Sequence, residues 1–354
     1  MNLPLSFILH LSSFILHPSS FILHPSSFYV MGTILSFDQT VELLRRHDKL
    51  FIAAHIMPDG DCIGSALGLT WALRRIGKTV TVTCHDHVSN TFKYLPGFQE
   101  LAAKTPTDEE LLVFVDGSAA DRFGAAYDPA KFNRRPALVI DHHVTNENFA
   151  PLNFIDRSAA STAEIVYRII RALGVAFDRD LAQCLLTGVV TDTLGFRTAS
   201  TTVETLKTVT ALMEAGGSIP EIIEHSFNQI PLPSLRLRGK IFGAATLDGV
   251  ILWAEVSFKA QRELGLNGNG TGGIINQLLS VEDAKIAALF IEKENGKIDV
   301  GLRSRVGYDV AGIAARLGGG GHKQASGALI DGPLAVARER VLGEIKKSIS
   351  AIAK

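Results

Sequence analysis

The 354-residue chain has few cysteines and no excess of charge of either sign. Its three cysteines, Cys62, Cys84 and Cys184, are odd in number and widely spaced, so the sequence predicts neither a disulfide framework nor a zinc knuckle. The 35 basic and 36 acidic residues give a formal net charge of -1. This balance disfavours a protein that holds long duplex nucleic acid by neutralising phosphates, whereas short oligonucleotides need only a few local cations. A reducing, cytoplasmic location is the simplest expectation.

The first 30 residues differ from everything after them. The pentapeptide Ser-Phe-Ile-Leu-His recurs with a period of seven, at residues 6–10, 13–17 and 20–24. Pro18 and Pro25 would break a coiled-coil helix, and the apolar runs are too interrupted to span a membrane. No basic residue precedes Arg45, which disfavours a signal peptide. We expect residues 1–30 to be a translated tandem repeat that is not part of the native protein, with the true start at Met31.

The rest of the chain is long enough for two domains. We predict a parallel-sheet α/β domain at 31–212, a helical linker with several prolines at 213–238, and a smaller α/β domain at 239–354. In the smaller domain, hairpins are predicted from Lys240 to Ser257 and from Ala284 to Ser304, because each contains a strong turn dipeptide.

Local signals set the expected helix starts in the larger domain. Ser36 with Gln39, and Ser161 with Glu164, have the spacing of capping boxes. Another helix is predicted from Ile63 to Ile76, after a polar loop.

Acidic and histidine residues follow three apolar segments that are predicted to be buried parallel strands, at 50–54, 111–115 and 137–140. The residues that follow are His55, Asp59 and Asp61 after the first segment, Asp116 after the second, and Asp141, His142 and His143 after the third. A single aspartate at a strand end is usually a turn residue. Three such ends are better explained by one metal site at the carboxyl edge of the sheet.

A further acid, Asp192, follows a long apolar helix, where a solvated surface role would be unusual. The candidate metal ligands are then His55, Asp59, Asp61, Asp116, His142 and Asp192. Six donors rich in carboxylate suit two divalent ions roughly 3.5–4 Å apart, which activate water and neutralise a phosphoryl group. Mn²⁺ or Mg²⁺ fits these ligands better than structural zinc. His143 could contact the scissile phosphate or act as a general acid. A single structural cation, the alternative, would not need so many anionic groups.

The smaller domain carries a second candidate site, for phosphate. Arg303 and Ser304 end a predicted strand, and a glycine run including Gly319, Gly320 and Gly321 leads into His322. Backbone N–H groups in such a run can approach phosphate oxygens. A bare glycine run would usually be only a flexible loop, but the flanking Arg303 and His322 favour substrate binding.

Together these motifs resemble those of the DHH phosphoesterase superfamily in order and spacing. His55-x-x-x-Asp59-x-Asp61 continues through Gly64-Ser65, and Asp141-His142-His143-x-x-Asn146 is complete. The Gly-Gly-Gly-His motif is similar to that of the DHHA1-bearing branch, and the chain resembles its compact bacterial oligoribonuclease (nano-RNase) and pAp phosphatase group. The resemblance covers nearly everything after Met31.

The resemblance implies a DHH domain followed by a smaller DHHA1 domain, with the active site in the cleft between them. His55, Asp59 and Asp116 would hold a first Mn²⁺. The second Mn²⁺ would be held by Asp61, Asp116, His142 and Asp192, so that Asp116 bridges the two ions. Mg²⁺ or Co²⁺ could substitute. Asp141 would support the histidine pair without binding a metal.

The activity so implied is hydrolysis of dinucleotides to pentanucleotides of RNA, and of pAp to AMP and phosphate. Cleavage of cyclic or linear dinucleotides such as pGpG, and exonuclease action on single-stranded DNA, are alternatives within the superfamily. A pyrophosphatase would have a different C-terminal domain. A non-catalytic nucleotide binder would be expected to lack at least one metal ligand. No membrane partner is expected, and a homodimer is compatible with the sequence although no residue indicates one.

Overall fold

The computed structural model describes residues 32–132, 135–266 and 270–352. The predicted tandem repeat and the predicted start at Met31 lie outside the described residues. Two six-stranded sheets form, each with its own hydrophobic core. The predicted α/β class, with a parallel N-terminal sheet, is confirmed. No helix in the described ranges is both long and apolar enough to cross a membrane.

The first sheet is parallel throughout, with strand order β1-β6-β5-β4-β2-β3. Its strands are β1 (Thr33–Ile34), β2 (Lys49–Ala54), β3 (Thr79–Cys84), β4 (Leu111–Val115), β5 (Ala137–Asp141) and β6 (Leu152–Ile155). All five residues of β4 and all five of β5 are buried, as expected for strands covered on both faces. The carboxyl ends of β2, β4 and β5 therefore lie side by side.

The helices of this unit are α1 (Phe37–Arg46), α2 (Gly60–Arg75), α3 (Thr162–Ala172), α4 (Arg179–Asp192), α5 (Val203–Glu214) and α6 (Ile219–Ile223). The capping box at Ser36 is confirmed. At α3 only half of the predicted box forms: the Ser161 hydroxyl accepts from the Glu164 N–H, but the Glu164 carboxylate accepts from the N–H of Ala160 instead of Ser161. That carboxylate also accepts from the Thr205 hydroxyl, so a tertiary contact displaces the local one.

Helix α2 begins three residues before the predicted start at Ile63. Asp59 is its N-cap, and the carboxylate accepts a hydrogen bond from the Cys62 N–H at 3.0 Å. An aspartate at this position satisfies an N–H group that has no partner within the helix. As a result Asp61 lies on the first helical turn and not in a loop.

A π-helical turn at Glu224–Asn228 and α7 (Leu232–Gly243) connect the two units. Helix α7 continues past Lys240, so the predicted hairpin starts only at Thr246. The second sheet is mixed, with order β11-β12-β10-β9-β8-β7, and its one parallel pair is β8 with β9. Its strands are β7 (Thr246–Asp248), β8 (Ile251–Val256), β9 (Ile286–Glu292), β10 (Lys297–Ser304), β11 (Gly320–His322) and β12 (Ala325–Asp331). Its helices are α8 (Phe258–Glu263), α9 (Ile274–Leu279), α10 (Ala311–Arg316) and α11 (Leu334–Ile352).

Candidate active site

His55, Asp59 and Asp116 meet at the carboxyl edge of the parallel sheet. The His55 Nε2 atom lies 3.8 Å from Asp59 Oδ1 and 3.6 Å from Asp116 Oδ2. Its other ring nitrogen, Nδ1, lies 2.7 Å from the Ile56 carbonyl oxygen, to which it can donate. That hydrogen bond leaves the Nε2 lone pair directed at the carboxylates, which is the usual arrangement of a metal-binding histidine. His55 and Asp116 are buried, whereas the Asp59 side chain is 61% exposed and is open to solvent.

A second group of carboxylates surrounds His142. Its Nε2 atom lies 3.9 Å from Asp61 Oδ2, 3.7 Å from Asp116 Oδ1 and 3.6 Å from Asp192 Oδ2. These distances are too long for hydrogen bonds. The nitrogen is buried and has no hydrogen-bond partner, although buried polar atoms are nearly always satisfied. A cation held between the imidazole and the three carboxylates would satisfy it, so the residues fit a divalent metal.

Asp116 belongs to both groups. Its Oδ2 faces His55 and its Oδ1 faces His142, which is the arrangement required of a bridging carboxylate. The Thr162 hydroxyl donates to Oδ1 at 2.8 Å and fixes the side chain. The backbone of Asp116 has φ +63°, a conformation that residues other than glycine seldom adopt, and such strain is concentrated at functional sites.

The carboxylates are crowded, with too little positive charge nearby. Burial, reinforced by Asp116 and Asp192, raises the pKa of Asp61 well above its usual range. Burial also raises the pKa of Asp192 to about 7, with Asp116 adding to the rise and His142 opposing it. Asp116 is the exception, because His55, His142 and His143 hold its pKa below the ordinary value despite its burial. Divalent cations would supply the missing positive charge.

Asp61 makes contacts that the sequence did not indicate. Its carboxylate accepts hydrogen bonds from the backbone N–H groups of Thr162 and Ala163, at 2.6 and 2.9 Å, where α3 begins. Helix α4 passes so close that a Cβ atom on Gly188 would lie 2.7 Å from Asp61 Oδ1. The helix N-terminus favours the ionised carboxylate and holds it in place, since its N–H groups carry partial positive charge.

Asp141 contacts His143, as the resemblance implied, and not the metal-binding groups. Its Oδ1 lies 2.7 Å from His143 Nδ1, and its Oδ2 accepts a hydrogen bond from the Asn146 amide at 2.8 Å. Although burial opposes protonation, the bond to Asp141 and the charge of that carboxylate raise the pKa of His143 to about 9. His143 is therefore a cation at neutral pH and carries a proton on the nitrogen that faces away from Asp141.

His322, on strand β11 of the second sheet, lies next to His143. The rings of His143 and His322 are 6.4 Å apart and nearly parallel, with 17° between their planes. Burial lowers the pKa of His322, and the nearby His143, His142 and Arg303 add to the effect. Burial also lowers the pKa of Arg303, whose guanidinium donates to the Leu302 carbonyl oxygen. His143 and Arg303 thus form a cationic wall beside the carboxylates, and His322, whose lowered pKa leaves it largely neutral at pH 7, lies next to it.

The other predicted phosphate-binding residues are placed differently. Ser304 is buried, and its hydroxyl donates to the Tyr308 carbonyl oxygen at 2.8 Å. The Gly319 N–H donates to the Ala314 carbonyl oxygen, and a Cβ on Gly319 would collide with strand β12. A Cβ on Gly321 would lie 2.6 Å from the Ala325 carbonyl oxygen, whereas one on Gly320 would meet nothing within 4 Å. Close packing against β12 therefore accounts for two of the three glycines, and Gly320 is the one with open space beside it.

Two residues near the metal-binding groups were missed in the sequence. Thr162 was noticed only as part of a helix start, yet its hydroxyl binds Asp116. Arg122 places Nη2 3.2 Å from His55 Nδ1, and it follows Asp116 by six residues in a segment without a motif. The only sequence signal for Thr162 was its hydroxyl next to a helix N-cap. Nothing in the sequence indicated Arg122.

Comparisons with known proteins cover both units of the structure. Residues 49–189 match the DHH family, N-terminal domain, and residues 254–354 match the DHHA1 domain. The Thermus thermophilus protein named bifunctional oligoribonuclease and PAP phosphatase NrnA is 32% identical, and the match covers 85% of this chain and 90% of that protein. The Mycoplasma genitalium protein of the same name is 27% identical, over 83% and 92%. The crystal structure of an exopolyphosphatase-related protein from Bacteroides fragilis shares the fold, with a TM-score of 0.82, 24% identity and coverage of 90% of this chain and 97% of that one.

Proposed function

Because the chain belongs to the DHH family and carries a DHHA1 domain, we propose that it hydrolyses short oligoribonucleotides to mononucleotides and pAp to AMP and phosphate. Relatives with this pair of activities in their name match the chain over most of its length. The observation that supports the proposal most directly is the unsatisfied Nε2 atom of His142, which three carboxylates surround, with the cationic His143 beside one of them, Asp116. Such a site suits a phosphate bound between metal ions and positive side chains.

Two divalent ions, with Mn²⁺ preferred, are part of the proposal. His55, Asp59 and Asp116 would hold one ion, and the other would be held by Asp61, Asp116, His142 and Asp192. When bound, such ions lower the pKa of a coordinated water and neutralise charge on the phosphoryl group. The mixture of imidazole and carboxylate ligands suits Mn²⁺, which accepts both.

His143 acts on the phosphate in this proposal. It is cationic at neutral pH because Asp141 holds its Nδ1 proton, and its exposed edge can donate to a phosphate oxygen or to the departing oxygen. Asn146 keeps Asp141 in place by donating to its second oxygen. The proton donor is therefore oriented before the substrate arrives.

Substrate length follows from the distance between the two sheets. The rings of His143 and His322 are only 6.4 Å apart, so a phosphate bound at Arg303 and His322 lies close to the scissile one. Neighbouring phosphates of a dinucleotide, or the two phosphates of pAp, can occupy both positions. Longer strands gain no further contact from these residues.

The test is a substrate panel with Mn²⁺ and, separately, with a chelator. It contains 5′-phosphorylated RNAs from dinucleotides to strands of about two dozen nucleotides, pAp and a cyclic dinucleotide. The longest of these RNAs are larger than a site for small molecules can bury. We expect Mn²⁺-dependent cleavage that falls steeply with length, together with pAp hydrolysis. His142→Asn should abolish turnover without unfolding the protein. His47→Asn should not abolish turnover, because His47 lies at the C-terminal end of α1, where its Nδ1 atom donates to the Leu43 carbonyl oxygen at 2.8 Å. Preference for the longest strands would contradict the proposal and favour an exonuclease.

The domain limits 31–212, 213–238 and 239–354 and the start at Met31 belong to the same proposal. N-terminal sequencing of the protein made from its natural gene, and limited proteolysis, test them. Cleavage within 213–238 that leaves two stable fragments is expected, because linkers are the usual sites of proteolytic cutting.

A further inference from the structure

A cavity of about 370 Å³ opens at the carboxyl end of β3, beside the loop that carries the first metal-binding residues. Cys84, the last residue of β3, pairs in register with Ala54, and its thiol donates to the His55 carbonyl oxygen at 3.5 Å. The cavity therefore begins one strand away from His55. Its lining contains none of the six candidate metal ligands.

A hydrogen bond joins this cavity to the metal-binding loop. The Asp86 carboxylate, on the cavity wall, accepts from the Met57 N–H at 2.8 Å. Met57 lies between His55 and Asp59 and has φ +52°, which is strained for a residue with a side chain. Met57 is 69% exposed and borders the cavity through its bond to Asp86, and this rim of the cavity lies two residues along the chain from Asp59. This hydrogen bond therefore ties the cavity wall to the loop that carries His55 and Asp59.

The lining of the cavity combines apolar side chains with polar side chains, two of which make no hydrogen bond to another described residue. It consists of Cys84, His85, Asp86, His87, Val88, Asn90, Phe98, Leu101, Ala102 and Ala103. The Nε2 atom of His85 is hydrogen-bonded to the Lys104 carbonyl oxygen. The side chains of His87 and Asn90 make no hydrogen bond to another residue in the part of the chain that the structure describes. A concave site of this size, with an apolar wall and a few free polar groups, is typical of small-molecule binding.

The chemistry of the lining selects a nucleobase over a phosphate. The cavity contains no lysine or arginine, and Asp86 would repel an anion. The Asn90 carboxamide presents a donor and an acceptor side by side, the pair that recognises the N6 and N7 edge of adenine. Phe98 and His87 offer ring faces on which a base can stack.

We propose that this cavity binds the adenine of the nucleotide whose phosphate is cleaved, with Asn90 as the specificity-determining residue. The proposal rests on the proposed function, because it needs a nucleotide phosphate at the carboxylates. With the phosphate there, the adjoining ribose spans the rim at Met57 and the base enters the cavity. The two sheets then hold opposite parts of the substrate: the cationic wall takes a phosphate and the end of β3 takes a base.

The experiment compares pAp with its base-free analogue, ribose 3,5-bisphosphate. Wild-type protein should show a KM for pAp about a hundredfold below that for the analogue, the gain expected from hydrogen bonding and stacking of one base together. Asn90→Ala should raise the KM for pAp about tenfold while kcat and the KM for the analogue stay unchanged. Lys93→Ala is the matched control, since Lys93 is exposed in the same segment and does not line the cavity. Equal changes for both substrates, or none for either, would overturn the proposal.

A binding measurement separates failure of this proposal from failure of the proposed function. Titration calorimetry with AMP and ribose 5-phosphate, on wild-type and Asn90→Ala protein with Mn²⁺, needs no turnover. Tighter binding of AMP than of ribose 5-phosphate that weakens about tenfold in Asn90→Ala supports the adenine site even if no substrate is hydrolysed. Hydrolysis of pAp together with equal affinity for the two ligands would leave the function standing and refute the adenine site. Equal binding of GMP and AMP would refute the preference for adenine.

Discussion

Asp192→Asn should change the stability of this protein in opposite directions with and without metal. Burial raises the pKa of Asp192 to about 7, against an ordinary value of 3.8. At pH 7 the carboxyl is fully ionised in the unfolded chain but resists ionisation in the folded one. This difference in pKa between the folded and unfolded states lowers the free energy of unfolding by about 4 kcal/mol at pH 7. Because the side chain is 32% exposed, screening reduces this to about 1–3 kcal/mol.

The asparagine removes that charge and keeps the shape of the side chain. Metal-free Asp192→Asn should therefore unfold at a Tm several degrees above the wild type at pH 7, at about 2–4 °C per kcal/mol. The difference should shrink as the pH falls toward 4, because the wild-type carboxyl then becomes protonated in both states. With Mn²⁺ the order should reverse, since the variant lacks one ligand and gains less from binding.

Scanning calorimetry at pH 7 and pH 4.5, with chelator and with excess Mn²⁺, measures all four conditions. Asp180→Asn is the matched control, because Asp180 is an exposed acid in the first turn of the same helix. Removing it should lower the Tm slightly in every condition, through loss of a favourable interaction with the helix N-terminus. If metal-free Asp192→Asn were less stable than the wild type at pH 7, the view of the site as a cluster of uncompensated carboxylates would be wrong.

Three further predictions concern the cationic wall and the glycine run. Asp141→Asn should lower the pKa of His143 from about 9 toward its ordinary 6.5, and NMR titration of the metal-free protein measures it; an unchanged pKa would deny Asp141 this role. In the wild type, the stability that the raised pKa provides is complete below about pH 6.5 and is lost as the pH rises through 9. Arg303→Ala should raise the KM for dinucleotides about tenfold or more with little change in kcat, since it removes the charged phosphate contact that we propose; a fall in kcat alone would contradict this. Gly319→Ala should destabilise the protein by about 1–3 kcal/mol in denaturant unfolding, because the new methyl group collides with β12. Gly320→Ala, with open space beside it, should not, and equal losses would refute the packing argument.

The acidic half of the site could be predicted from the sequence because it depends on topology. His55, Asp116 and Asp141 each follow or end an apolar run, and parallel strands bring such ends to one edge whatever the order of the strands. Their number and type predicted that these groups are metal ligands, which stays a prediction. Their assignment to two separate ions stays a prediction.

What the sequence could not show depends on contacts between distant segments. Asp61 is held by N–H groups about 100 residues away, at the start of α3, and no local pattern records that approach. Glu164 has the spacing of a capping box but is drawn to Thr205 on another helix. Arg303 and Ser304 are successive residues of β10, so their side chains point to opposite faces of the sheet. The sequence does not show which of the two faces is turned toward the cleft.

The carboxylates and the cationic wall carry opposite charges, and each set lacks compensation when the site is empty. Burial raises the pKa of Asp192, and repulsion from Asp116 adds to the rise; burial lowers the pKa of His322, and the charges of His143 and Arg303 add to the fall. If the proposed pair of divalent ions and a phosphate bind together, they would neutralise both sets at once, because the ions would compensate the acids and the phosphate would compensate His143 and Arg303. Occupancy of the two halves should therefore be cooperative, and Mn²⁺ should bind more tightly when AMP is present than when it is absent.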